Sequence, residues 1–324
     1  MSMKKWWLAT VGFTISLAII LGSFKPISAE NIPQIYVFGD SLSDVGNVYQ
    51  ATNGKSPPSP PYFKGRYSNG PVWVEYLASG LKLTSNLNNN FAYGGAKTGD
   101  SQDLPPGVLA QIQRFKVKNP TANPKALYII WAGANDYLGG ATDTTTPINN
   151  LATAVKRLAE IGAKNIVVVN LPDLGKLPAT RTTERAKSLS SLSQNHNSGL
   201  AASMKTLRQK FADTNIRYVD VNALFNQVYT APGKYGFNNV TQACLREEVV
   251  CDRPNEYLFW DGIHPSTAAH KLLVQLAAFQ FKSTPKSAAN SSNKLALPLS
   301  ILIFTVLAVS LIMWQRRKRI GNRS

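Results

Sequence analysis

The stretch Ile35-Tyr36-Val37-Phe38-Gly39-Asp40-Ser41-Leu42-Ser43-Asp44-Val45-Gly46-Asn47 decides the fold of this 324-residue chain. A β-branched and aromatic run that stops at Gly-Asp-Ser predicts a buried strand ending in a tight turn. Open α/β sheets carry their sites at the carboxyl ends of the strands, so this turn offers one hydroxyl, Ser41, at such a place. Gly, Asp and Ser are also the commonest turn residues. A second Gly-Asp-Ser, at Gly99 to Ser101, has no β run before it and Gln102-Asp103 after it, and reads as plain loop. Ser41 carries chemistry only if a base and oxyanion donors lie elsewhere in the chain.

Working outward, further apolar runs read as strands at Ala126 to Trp131, Asn165 to Asn170 and Arg217 to Val221. The first two are near-continuously hydrophobic, as strands buried on both faces are. Helical periodicity separates them, at Pro71 to Gly80, Val108 to Val117, Ile148 to Ile161, Arg181 to Asp213 and Ser266 to Lys282. Alternating strands and helices predict a parallel sheet covered on both faces. The polar, Gly- or Pro-bearing turns that end the strands then share one edge of that sheet. Residues 30–282 have the composition and length of one α/β domain, and no internal repeat is visible.

The two ends read differently. Lys4 and Lys5, the apolar stretch Trp6 to Gly22 and the small-residue site Ile27-Ser28-Ala29 have the layout of a secretory signal peptide (1–29), with Glu30 as the mature start. Residues 283–294 are rich in Ser, Ala, Asn, Pro and Thr and read as a flexible stalk. Leu295 to Trp314 carries no charge and is long enough to span a bilayer, and a basic tail (315–324) follows it. The positive-inside bias keeps that tail cytoplasmic and places the domain outside, anchored to the cell membrane. The net charge of +17 draws eight from Lys4, Lys5, Lys25 and the five Lys/Arg of the tail, leaving +9 for the rest. No helix-turn-helix, zinc-finger or RNA-binding signature accompanies it, so nucleic acid is not an expected partner. Cys244 and Cys251, seven apart in an exported chain, predict one small disulfide loop.

Besides the Ser41 turn, three clusters carry chemistry. Asn90-Phe91-Ala92-Tyr93-Gly94-Gly95-Ala96 has paired glycines whose amides can approach a ligand. Trp131-Ala132-Gly133-Ala134-Asn135-Asp136 ends a strand with an amide side chain, and Phe259-Trp260-Asp261-Gly262-Ile263-His264-Pro265 precedes the last helix. A serine hydroxyl becomes a nucleophile when an imidazole takes its proton and a carboxylate orients that imidazole. Of three histidines, His264 has Asp261 three residues ahead and can form such a pair. His196, in a Ser/Asn-rich helical stretch, reads as a solvated surface residue, and His270 as one that packs or faces water. Candidate oxyanion donors are the Ser41 amide, the Gly95 amide and the Asn135 side chain. No Gly-x-Ser-x-Gly elbow occurs, which argues against the α/β-hydrolase layout. Three scattered histidines offer no metal-ligand spacing.

Taken together, Phe-Gly-Asp-Ser-Leu-Ser-Asp-x-Gly-Asn, Asn-Phe-Ala-x-Gly-Gly-Ala, Gly-x-Asn-Asp at Gly133 to Asp136 and Asp-x-x-His at Asp261 to His264 resemble the blocks of the GDSL esterase/lipase family of the SGNH hydrolase superfamily. Gly65-Arg66-Tyr67-Ser68-Asn69-Gly70 resembles a further recurring stretch of its lipase-like branch. The resemblance spans about Ile35 to Phe281. It implies a three-layer α/β/α, flavodoxin-like fold and no cofactor. Carried over by position, it makes Ser41 the nucleophile, His264 the base, Asp261 the orienting acid, and Gly95 and Asn135 oxyanion donors beside the Ser41 amide. Adjacent glycines leave Gly94 and Gly95 as alternatives, while Asp40 and Asp44 read as structural turn residues. The expected activity is hydrolysis of small-molecule or lipid carboxylic esters through an acyl-serine intermediate. The alternatives are acyl transfer by the same intermediate, or an inactive surface-binding module on the same fold.

Overall fold

The structure is a computed structural model and describes residues 32–277 except 84, 85 and 87. The expected signal peptide (1–29), stalk (283–294), membrane helix (295–314) and tail (315–324) lie outside the described residues. Among the described residues, no helix is long and apolar enough to cross a membrane.

The chain runs β1 (Ile35–Gly39), α1 (Asn47–Ala51), α2 (Trp73–Gly80), α3 (Val108–Lys118), β2 (Leu127–Trp131), α4 (Ala134–Leu138), α5 (Thr145–Glu160), β3 (Asn165–Val169), α6 (Ala186–Lys210), β4 (Asn215–Val219) and α7 (Val221–Thr230). There follow β5 (Asn239–Ala243), β6 (Leu245–Arg246), β7 (Val249–Val250), β8 (Tyr257–Phe259) and α8 (Thr267–Ala277). The strands β1-β2-β3-β4 form one parallel sheet in that order. Asn90 makes a parallel bridge to Val37 on the free side of β1. Counted as an incipient strand, it makes the chain order across the sheet 2-1-3-4-5, the doubly wound order with its switch point at β1/β2.

The strands read as continuous hydrophobic runs because each face packs against helices. Ile35, Val37, Ile129, Trp131, Val167 and Val169 pack with Trp73, Val74 and Leu77 of α2, Leu224 of α7 and Ala269 and Leu273 of α8. The alternate residues Tyr36, Phe38, Tyr128, Ile130, Ile166 and Val168 pack with Ile112 and Phe115 of α3, Leu151 and Val155 of α5, and Leu200 and Met204 of α6. The period-2 alternation of one strand thus fills two cores, and the expected three-layer α/β/α arrangement follows.

Several boundaries differ from the sequence expectation. The fourth strand lies at Asn215–Val219, two residues earlier than Arg217 to Val221, because Asp220 caps α7 by accepting from the Ala223 N–H at 2.9 Å. The long helix begins at Ala186 rather than Arg181, after a 3₁₀ turn (Leu174–Lys176) and a run of turns. The 229–255 segment contains the end of α7 and strands β5 to β7. Cys244 and Cys251 form the expected disulfide there. The second Gly-Asp-Ser is loop.

Candidate active site

Ser41 sits one residue beyond Asp40 at the end of β1, at the switch point of the sheet. Gly39 is dictated by proximity: a Cβ there would lie 2.2 Å from the Trp131 carbonyl oxygen of β2. Buried Gln111 of α3 completes the strand end, accepting from the Gly39 N–H and donating to its carbonyl, each at 2.8 Å. The turn that follows is organised by two buried carboxylates. Asp40 accepts from the Leu42 N–H at 3.0 Å. Asp44 accepts from the N–H groups of Gly46, Asn47 and Val48 at the start of α1 and, at 2.9 Å, from that of Gly94. Asn47 Nδ2 donates to the carbonyls of Asn90 and Ala92, and Asn90 Nδ2 to that of Ser43. The first two sequence blocks are therefore one hydrogen-bonded unit, with Asp40 and Asp44 in the structural positions expected of them.

His264 and Asp261 come from the loop between β8 and α8. The loop closes on itself: Asp261 Oδ1 accepts from the N–H groups of Ile263 and His264, and the His264 carbonyl accepts from Trp260 N–H at 2.8 Å. The ring then has Nδ1 2.7 Å from Asp261 Oδ2 and Nε2 2.8 Å from Ser41 Oγ. Burial alone would raise the Asp261 carboxyl. The facing imidazole, its hydrogen bond, the Tyr62 hydroxyl and the Ile263 N–H outweigh burial and hold the group down at about 2. Asp261 is thus ionised across the neutral range, as an orienting acid must be.

The two adjacent glycines differ in what their amides meet. The Gly94 N–H is buried and spent on Asp44, whereas Gly95 is exposed, left-handed (φ +81°), and its N–H meets no acceptor among the described residues. The Ser41 N–H likewise meets none. Asn135, in α4, donates one Nδ2 hydrogen to the Ala96 carbonyl at 3.0 Å, which leaves its second hydrogen for a ligand. Helix α4 is held at several points. Asp136 accepts from the Thr98 N–H and hydroxyl, and Arg185 donates to the carbonyls of Tyr137 and Leu138. The Tyr137 hydroxyl lies 2.7 Å from His196 Nδ1.

That last contact corrects the reading of His196. It is fully buried, not solvated, and burial pushes its ring down to about 4. Ser193, His196, Asn197 and Leu200 form the buried stripe of α6 at helical spacing, so polar residues here occupy a core face. His270 packs, as one of its two readings had it, fully buried with burial and then the charge of His264 pushing its ring down to about 3.

Two contacts were not legible in the sequence. Tyr62 donates its hydroxyl to Asp261 Oδ2 at 2.6 Å, and the Tyr67 ring packs on the His264 ring with centroids 5.1 Å apart. Beside Ser41 and His264, a narrow apolar cavity is walled by Leu42, Leu138, Leu174, Leu177 and Ile263. Among the described residues, no cluster of three or more His, Cys, Asp or Glu is placed to hold a metal ion.

A strand-end serine held against an Asp–His loop is the arrangement that nucleophilic acyl chemistry by a serine needs. The sequence matches the GDSL-like Lipase/Acylhydrolase family over residues 35–277, and the chain belongs to that family. It is similar to a phosphatidylcholine-sterol acyltransferase of Aeromonas hydrophila (27% identity, covering 85% of this chain and 96% of the relative). It is also similar to a thermolabile hemolysin of Vibrio parahaemolyticus (29% identity, 76% of this chain), of whose length the match spans 63%. Among solved structures, a lipolytic G-D-S-L family member from Veillonella parvula overlays with a TM-score of 0.46 at 17% identity, covering 76% of this chain and 96% of that one.

Proposed function

We propose that this protein hydrolyses carboxylic esters through an acyl-Ser41 intermediate. The observation that carries this reading is the continuous relay Ser41 Oγ–His264 Nε2 (2.8 Å) and His264 Nδ1–Asp261 Oδ2 (2.7 Å). Ser41 Oγ attacks the ester carbonyl carbon as its proton passes to His264 Nε2. The carbonyl oxygen becomes an oxyanion received by the Ser41 N–H, the Gly95 N–H and Asn135 Nδ2. Collapse breaks the bond to the alcohol oxygen, which takes the proton from the imidazolium and leaves. Water, deprotonated by His264, then attacks acyl-Ser41 and releases the acid and the free serine. The apolar cavity beside Ser41 suits the acyl portion of the substrate.

Ser41→Ala should abolish turnover of short p-nitrophenyl esters and labelling by a fluorophosphonate probe while the fold stays intact. Retained turnover would sink the assignment, and a wild-type chain that neither labels nor turns over would support the inactive binding-module reading.

Acyl transfer is the second reading. The Aeromonas hydrophila relative named as an acyltransferase supports it, and the acyl-enzyme is common to both reactions. Product analysis with and without an alcohol acceptor separates them. The reading also includes export and anchoring of the domain outside the cell membrane. The Lys4–Gly22 and Leu295–Arg319 patterns support it, and so does the Cys244–Cys251 disulfide, a bond of oxidising compartments. Protease accessibility of the domain on intact cells tests it.

A further inference from the structure

The Gly65–Gly70 stretch, singled out in the sequence, has no part in the relay as drawn so far. In the structure the segment from Tyr62 to Asn69 runs alongside the segment from Asp261 to Thr267 and meets it at four successive points. The Tyr62 hydroxyl donates to Asp261 Oδ2 at 2.6 Å, and the Tyr67 ring lies against the His264 ring. The Ser68 hydroxyl donates to the Pro265 carbonyl at 3.0 Å, and Asn69 Oδ1 accepts from the Thr267 N–H at 2.8 Å. The segment is itself fixed: Arg66 forms a two-pronged pair with Glu75, whose carboxylate also accepts from the Val72 N–H. Tyr67 fills the space in front of Gly94, where a Cβ would lie 2.2 Å from its ring.

We infer that this segment positions the acid–base pair and that the Tyr62 hydroxyl tunes it. The inference rests on the ester-hydrolase reading above. Tyr62 and His264 Nδ1 share one oxygen, Asp261 Oδ2. A hydroxyl donating to that oxygen fixes the carboxylate plane and draws on its negative charge, so less of that charge is left to favour the imidazolium over the imidazole. Burial first, then the neighbouring Asp261 charge, raise the Tyr62 hydroxyl above its ordinary value, so it remains a protonated donor through the working range. Tyr62 reaches no reacting atom. Its role is to hold Asp261, and through it the base, in line with Ser41; the other titratable groups that act on His264, Asp40 and His270, are the same in a Tyr62 variant.

The test is the pH profile of kcat/KM for p-nitrophenyl butyrate in the full-length chain, with Tyr62→Phe as the perturbation. Removal of the hydroxyl alone is expected to lower kcat about tenfold with KM little changed. It should also move the acid limb of the profile upward by about half a pH unit. Arg66→Ala serves as the structural comparison, because it loosens the segment from Glu75 but leaves the Tyr62 hydroxyl; it should lower the melting temperature without moving the limb. If Tyr62→Phe lowers activity only in proportion to lost folded protein, or leaves the limb unmoved or at lower pH, the inference is overturned. Turnover retained in Ser41→Ala would instead strike the hydrolase reading itself, so the two failures are distinguishable.

Discussion

Asp40 stands one residue before Ser41 and is only 1% exposed. Burial pushes its carboxyl up to about 7 from 3.8, aided by the charge of Asp136 and only partly opposed by the Leu42 N–H and by His264. An acid whose folded value lies above its unfolded value binds its proton more tightly when folded. The stability it contributes is present at low pH and is lost as pH rises from near 4 through about 7. At about 1.4 kcal/mol per pH unit, the rise from 3.8 to about 7 sets a ceiling of ~4 kcal/mol for that loss. Asp40→Asn keeps an oxygen for the Leu42 N–H and cannot ionise. Urea unfolding of wild type and variant at pH 4 and pH 8.5 isolates the effect, because any pH-independent cost of the substitution cancels in the difference. The variant's stability relative to wild type should rise between the two pH values by an amount approaching that ceiling. A relative stability that does not change with pH, or that changes in the opposite direction, refutes the reasoning.

Two further outcomes follow from the oxyanion side. Asn135→Ala removes one donor and should lower kcat by about 10²–10³. It also strips the buried Ala96 carbonyl of its partner, so unfolding measurements should show a loss of about 1–3 kcal/mol. Gly94→Ala places a methyl group inside the Tyr67 ring and should lower both activity and melting temperature, whereas an alanine at Gly95 meets only Pro105 at 3.4 Å and acts through its left-handed backbone; equal, small effects at both positions would contradict the close packing of Tyr67 on Gly94.

What the sequence revealed and concealed has physical causes. β1, β2 and β3 were legible because strands buried on both faces cannot interrupt their apolar runs. The Asp261–His264 pair was legible because acid and base lie within one turn. The fourth strand was displaced by two residues because Val219-Asp220-Val221 continues its alternation, while the Asp220 cap that ends it is a three-dimensional fact. The burial of His196 is hidden in the sequence because Ser193 and Asn197 beside it have the polarity of a solvated face, although Asn197 bonds both the N–H and the carbonyl of Leu171 inside the core. Which of Gly94 and Gly95 has an engaged amide depends on Asp44, fifty residues away. Tyr62 was invisible for the same reason: its partner is 199 residues distant, in a loop without periodicity.

The loop that carries Asp261 and His264 closes through bonds within Trp260 to His264. Ser41 cannot join them locally, since it lies 223 residues from His264. Ester hydrolysis therefore appears only when the amino-terminal strand and the carboxyl-terminal helix have met. During refolding, the first burst of turnover should mark the moment at which the two ends of the domain close.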